Sequence, residues 1–121
     1  MNPPASGEEL RMRNMDFGDL QSKVEKNAEN YGEKYGVVID EDFSLLKLFE
    51  EVGELSQAVL IHRKKCRPEK FVSEEESKRN VAKEMADVVG MVIVAARLMD
   101  IDLEEAIEKK WISREWVGGK K

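Results

Sequence analysis

Two stretches of the chain place acidic residues three positions apart among apolar residues. Glu51 and Glu54 lie within LLKLFEEVGELSQAVL, and Glu84 and Asp87 lie within VAKEMADVVGMVIVAARLM. This spacing directs both carboxylates of a pair to the same side of a helix. Carboxylates near an apolar interior need a compensating charge. Two antiparallel helices that bring the pairs together would set four carboxylates around one cavity, and oxygen ligands of this kind suit a hard divalent cation, Mg²⁺ or Mn²⁺.

Acidic pairs with this spacing are common in a chain that has 25 acidic and 20 basic residues. Three other pairs suit the first turn of a helix or an exposed face: Asp16/Asp19, Asp102/Glu105 and Glu105/Glu108. For the two mid-helix pairs, the residues alone leave open a metal site, solvated acidic faces, or ion pairs with Lys and Arg of other helices. A di-iron bundle is not indicated, because the only histidine, His62, lacks the Glu-x-x-His pattern.

The overall charge argues against two classes of partner. A net charge of -5 disfavours nonspecific binding to nucleic acid or to an anionic membrane surface. The single cysteine, Cys66, cannot form an internal disulfide, and the N-terminus lacks an apolar leader. We therefore expect a cytoplasmic protein with no nucleic-acid or membrane partner.

Apolar periodicity predicts an all-α fold, a four-helix bundle in a single domain at residues 15–117. Asp16, Ser73 and Asp102 are predicted N-caps, and Gly36 is a predicted helix stop. Residues 1–14 are predicted to be a disordered leader and residues 118–121 a frayed tail. The predicted helices span roughly residues 16–35, 43–63, 73–99 and 102–116.

The second and third helices raise two expectations about packing. An apolar stripe on the second helix is predicted to face the core: Leu45, Leu48, Phe49, Val52, Leu55 and Val59. Glu51 and Glu54 fall on another, partly apolar face, and Gly53 suggests a close neighbour because glycine destabilises a helix interior. The third helix is apolar on all sides after Lys83, which predicts burial against a second copy of the chain.

The motif Glu50-Glu51-x-x-Glu54, followed by Glu84-x-x-Asp87, resembles the signature of MazG-type, all-α nucleoside triphosphate pyrophosphohydrolases. The similarity covers about residues 16–116. It implies Mg²⁺-dependent cleavage of a nucleoside triphosphate, noncanonical ones included, between the α and β phosphates, giving a monophosphate and pyrophosphate. Mn²⁺ is an expected substitute. The resemblance also implies a homodimer or a dimer of dimers.

Roles for individual residues follow from the same resemblance. Glu50 is the expected catalytic residue, orienting or deprotonating the attacking water, and Lys47 and Lys110 are the expected substrate-binding residues. The chain departs from the pattern after Lys110, where Ile112-Ser113-Arg114 replaces an asparagine of many relatives. The expected metal ligands are Glu51, Glu54, Glu84 and Asp87.

Two other functions are consistent with the sequence. A related pyrophosphohydrolase acting on phosphoribosyl-ATP would use the same fold and metal. A non-enzymatic helical interaction module would use the acids structurally or to bind a basic partner.

Overall fold

A computed structural model of the chain describes residues 14–117, and this range is all-helical, as predicted, without strands. Four α-helices confirm the predicted number, and none of them has the length and apolar character needed to cross a bilayer. The predicted leader, apart from Asn14, and the predicted tail lie outside the described residues. In chain order the helices are α1 (Phe17–Tyr35), α2 (Glu41–His62), α3 (Glu74–Leu98) and α4 (Leu103–Ile107).

Side-chain caps fix the helix starts that the sequence predicted. Asp16, Ser73 and Asp102 each accept a hydrogen bond from the backbone N–H three residues later, at 2.8, 3.1 and 3.0 Å. These bonds satisfy N–H groups that lack a partner within the helix. α1 ends at Gly36, whose φ of 66° is the left-handed conformation that glycine adopts without strain.

Two predicted helix limits are wrong. α2 begins two residues early because Asp40 caps it, accepting a 2.8 Å hydrogen bond from the Phe43 N–H. The last helix was predicted to reach Trp116, but α4 is five residues long and continues only as a π-helical turn, Glu108–Ile112. The Ser113 N–H donates to the Glu108 carbonyl, five residues back, and closes that turn.

The α2–α3 hairpin forms most of the core. Ser44, Glu51 and Ala58, spaced seven residues apart on α2, are buried, as are Ser77 and the run 93–96 on α3. The predicted core stripe of α2 is therefore partly wrong, since Phe49 is 69% exposed and Val52 is 44% exposed. The face that carries Glu51 packs against α3 instead, through small residues that allow close approach.

Apolar side chains remain exposed on the hairpin. On α3, Met85 and Val89 are about half exposed, although this helix also supplies the most buried apolar residues. Gly53 has nothing within 4 Å of a Cβ placed on it, so the close neighbour predicted there is absent from the described part of the chain. We call the following set the exposed hairpin residues: Leu46, Phe49, Val52, Leu60, Met85 and Val89.

α1 packs on α3 and also against the connection that follows it. Arg97 of α3 donates a 2.7 Å hydrogen bond to Glu25 of α1. Gly32 is buried, and a Cβ there would lie 2.8 Å from an Ile39 side-chain carbon. Only glycine therefore lets the 36–40 connection fold back closely on α1. The α4 segment, by contrast, makes few contacts with the three long helices.

Candidate metal and substrate site

The α2–α3 hairpin brings three of the predicted ligands together. One carboxylate oxygen from each of Glu51, Glu54 and Glu84 lies within 4.8 Å of the other two. Glu51 is only 8% exposed, Glu84 is half-buried and Glu54 is exposed. We refer to these three residues as the acid cluster. The cluster thus extends from the buried Glu51 to the exposed Glu54.

Among the described residues, two oxygen atoms of the acid cluster are buried without a hydrogen-bond partner. They are Oε1 of Glu51 and Oε2 of Glu84. A buried carboxylate oxygen that is left unpaired is strongly destabilising, and native proteins rarely retain one without a reason. A bound cation would supply a partner for such oxygens.

The surroundings of Glu51 resist its ionisation. A hydrogen bond shared with Glu54, burial, and the nearby charge of Asp87 raise the pKa of Glu51 from 4.5 to about 7, although Lys47 acts in the opposite direction. The protein alone therefore holds a proton between these acids near neutral pH. A divalent cation would displace that proton, because metal binding requires the ionised carboxylate.

Asp87, the fourth predicted ligand, lies beside the acid cluster. It lines the same cavity as Glu51, and its charge acts on the Glu51 carboxylate. Its oxygens are not among those within 4.8 Å of one another. The residues fit Mg²⁺, since the donors are all oxygen and two are orphaned.

Glu50, the residue before Glu51, and Lys47, one helical turn earlier, form an exposed ion pair. Lys47 Nζ lies 2.5 Å from Glu50 Oε1, and this hydrogen bond raises the pKa of Lys47. Lys47 also lines the cavity next to Glu51, whereas Glu50 does not. Lys47 therefore lies beside Glu51 of the acid cluster. The Glu50 carboxylate is paired with Lys47.

Lys110 is not brought to the acid cluster within the described chain. It is exposed in the π-helical turn and does not line the cavity. Its neighbour Lys109 instead reaches Glu105 at 3.7 Å and Glu115 at 3.9 Å. A role for Lys110 at this site would need a different copy of the chain.

A cavity of about 540 Å³ opens beside the acids, between α1, α2 and α3. Sequence reasoning missed its α1 wall. Lys23, Asn27 and Tyr31 follow one another at intervals of four residues, so they share one helix face. That polar row is the sequence signal for the wall. The lining residues are Lys23, Val24, Asn27, Ala28, Tyr31, Ile39, Phe43, Lys47, Glu51, Ala86, Asp87, Gly90, Met91 and Val94.

Comparison with known proteins identifies the domain. The family profile of the MazG nucleotide pyrophosphohydrolase domain matches residues 41–116, more than half of the 121-residue chain. The matched region contains α2, α3 and all four predicted metal ligands, and α1 lies before it. Searches of curated proteins and of solved structures gave no match. The chain belongs to the MazG nucleotide pyrophosphohydrolase domain family.

Proposed function

We propose that the protein is a Mg²⁺-dependent nucleoside triphosphate pyrophosphohydrolase, which releases pyrophosphate and leaves a nucleoside monophosphate. The observation that supports it most is the pair of orphaned, buried oxygens on Glu51 and Glu84, beside a cavity of about 540 Å³. In the metal-free protein the Glu51 carboxyl group shares a proton with Glu54, whereas the buried Oε2 of Glu84 has no partner among the described residues. The membership in the MazG family agrees with this activity.

The proposed roles divide the site between holding the metal and handling the substrate. Glu51, Glu54, Glu84 and Asp87 hold Mg²⁺ through carboxylate oxygens. Bound Mg²⁺ offsets the phosphate charge and lowers the pKa of water. Mn²⁺ has similar ligand preferences and is expected to substitute.

Glu50 and Lys47 act together in this proposal. The polyphosphate attracts Lys47, whose ammonium neutralises phosphate oxygens. This releases the Glu50 carboxylate from its ion pair with Lys47. The freed carboxylate accepts a proton from the attacking water, which is the role of a general base.

We also propose that the protein forms a homodimer or a dimer of dimers through the exposed hairpin residues. Phe49, 69% exposed, is the largest of them, and exposed apolar side chains gathered on one element are typical of an association site. A second copy would cover them. A cytoplasmic location and the lack of nucleic-acid or membrane partners stay predictions.

Release of pyrophosphate from a panel of (d)NTPs, noncanonical ones included, with Mg²⁺ tests the activity. Asp87→Ala should abolish that release because the metal loses a ligand at the cavity. The proposal is wrong if no nucleotide is cleaved or if Asp87→Ala is as active as the parent. Phosphoribosyl-ATP, tested in the same panel, shows whether the protein acts instead on the substrate of the related pyrophosphohydrolases.

A melting scan separates an enzyme from a helical interaction module. A true metal site raises the melting temperature when Mg²⁺ or Mn²⁺ is added with nucleotide, because a ligand that binds only the folded state stabilises it. An interaction module predicts no change. Glu33→Gln, which removes an exposed carboxylate on α1, is the control for nonspecific effects of charge.

A further inference from the structure

We propose that the cavity between α1, α2 and α3 binds the nucleoside part of the substrate, with Gly90 leaving space for it and Asn27 selecting the base. This inference rests on the proposed function, which puts the phosphates at the acid cluster. The family match begins at residue 41, so it carries no information about the α1 wall that holds Asn27.

On the α2 and α3 walls of the cavity, the acidic residues and the apolar residues lie at different levels. α2 and α3 are antiparallel, so Glu51 and Asp87 lie at one level and Phe43 and Val94 at another. Eight residues separate Glu51 from Phe43, which corresponds to about 12 Å along a helix. An α-phosphate at the acids would then place its sugar and base along the lining toward Phe43. A mostly apolar lining with a few polar groups is typical of sites for small organic ligands.

Within residues 14–117 of one chain, Gly90 has no packing or backbone reason to be glycine. It lies inside α3, where glycine is destabilising by about 1 kcal/mol relative to alanine. A Cβ placed on Gly90 meets no atom within 4 Å, and the residue has no positive φ. Since Gly90 lines the cavity between Asp87 and Met91, any side chain there would extend into the cavity. The space that glycine leaves is space for a ligand.

Asn27 has the hydrogen-bonding groups that a base requires. Its side-chain amide lines the cavity and has no hydrogen-bond partner within residues 14–117. An amide offers a donor and an acceptor side by side, which matches the adjacent donor and acceptor on the edge of a nucleobase. The aromatic rings of Tyr31 and Phe43 line the same cavity and offer surfaces on which a base can stack.

Gly90→Leu tests whether the space beside Gly90 is needed for the ligand. Leucine favours a helix more than glycine does, so the variant should melt at a higher temperature than the parent. Binding of nucleoside monophosphates to the metal-free protein, measured by calorimetry, should weaken at least 10-fold. Gly90→Ala, which adds one methyl group, is the graded control and should weaken binding less. A Gly90→Leu protein that melts lower, or that binds like the parent, would overturn the proposal.

Asn27→Leu tests base selection, with Asn30→Leu as the matched control. Asn30 lies on the same helix, is also exposed, and does not line the cavity. Loss of two hydrogen bonds should reduce kcat/KM for the preferred base about 10- to 100-fold and flatten the preference among bases. Asn30→Leu should keep the preference. Equal preference profiles for Asn27→Leu and the parent would refute the role of Asn27.

Two readouts keep this inference separate from the proposed function. The rise in melting temperature caused by Mn²⁺ alone reports on the acid cluster and should be the same in the parent, Gly90→Leu and Asn27→Leu. If the parent releases no pyrophosphate from any nucleotide, the proposed function fails. If the parent is active but Gly90→Leu binds and turns over nucleotides normally, only the nucleoside site fails.

Discussion

Glu51 links the stability of the metal-free protein to pH. Its pKa is about 7 in the folded protein and 4.5 in an unperturbed side chain. The folded state therefore keeps a proton that the unfolded state has already released between these two values. By linkage, the stability that this proton contributes is fully present below pH 4.5, falls as pH rises toward 7, and is lost above it. One pKa unit is equivalent to about 1.4 kcal/mol, so the loss is about 3 kcal/mol.

Glu51→Gln removes this dependence while it keeps the shape of the side chain. Glutamine cannot ionise, and its amide can still donate a hydrogen bond to Glu54. We expect the variant and the parent to be equally stable at pH 4.5. At pH 8 the metal-free variant should be more stable by about 3 kcal/mol, which raises the melting temperature on the order of 10 °C.

Unfolding by urea from pH 4.5 to 8.5, in the presence of a chelator, measures the difference directly. Glu33→Gln is the matched control, because Glu33 is an exposed carboxylate without an ion pair in the described chain. Adding Mg²⁺ at pH 8 should stabilise the parent and leave Glu51→Gln nearly unchanged, since the variant lacks a ligand. The reasoning is refuted if the difference between Glu51→Gln and the parent does not change with pH.

Three further predictions concern other parts of the protein. Glu84→Gln should reduce pyrophosphate release at least 100-fold at saturating substrate. It should also remove the Mn²⁺-induced rise in melting temperature. If the variant keeps both the activity and this rise, Glu84 is not a metal ligand. If the proposed oligomer forms through the exposed hairpin residues, Phe49→Glu should convert it to monomers in light scattering, because an exposed helix position tolerates glutamate but an apolar interface does not; an unchanged mass would place the interface elsewhere. Ser73→Ala should destabilise the protein by about 1 kcal/mol, since the Glu76 N–H loses its cap; Ser56→Ala, whose hydroxyl donates only to a carbonyl within α2, is the control in denaturant unfolding.

Local signals in the sequence predicted most of the helix starts. Ser73 and Asp102 cap their helices by bonds to nearby backbone, so neighbouring residues are sufficient to identify them. Asp40 was missed because the acids around it obscured which one is the cap. The apolar periodicity did not indicate that the helix changes to a π-helical turn at Glu108.

Which face of each helix is buried was harder to predict than where the helices form. Hydrophobicity alone assigned Phe49 and Val52 to the core, yet Glu51 lies on the face that packs against α3. A single chain's sequence does not distinguish an apolar face that is buried within the chain from one that is left exposed. The acid pairs were identified from their mid-helix positions. The polar row that contains Asn27 is visible in the sequence, but only the packing of α1 shows that this row faces the cavity.

The acid cluster belongs to one helical hairpin, and this has a consequence for the order of folding. Glu54 and Glu84 are 30 residues apart in sequence, so a single loop closure brings them together. Contacts of such short range form early and quickly. Without a cation, however, the same step brings like charges together and is opposed by their repulsion. Mg²⁺ present during refolding should therefore accelerate folding of the hairpin, as well as stabilise the finished protein.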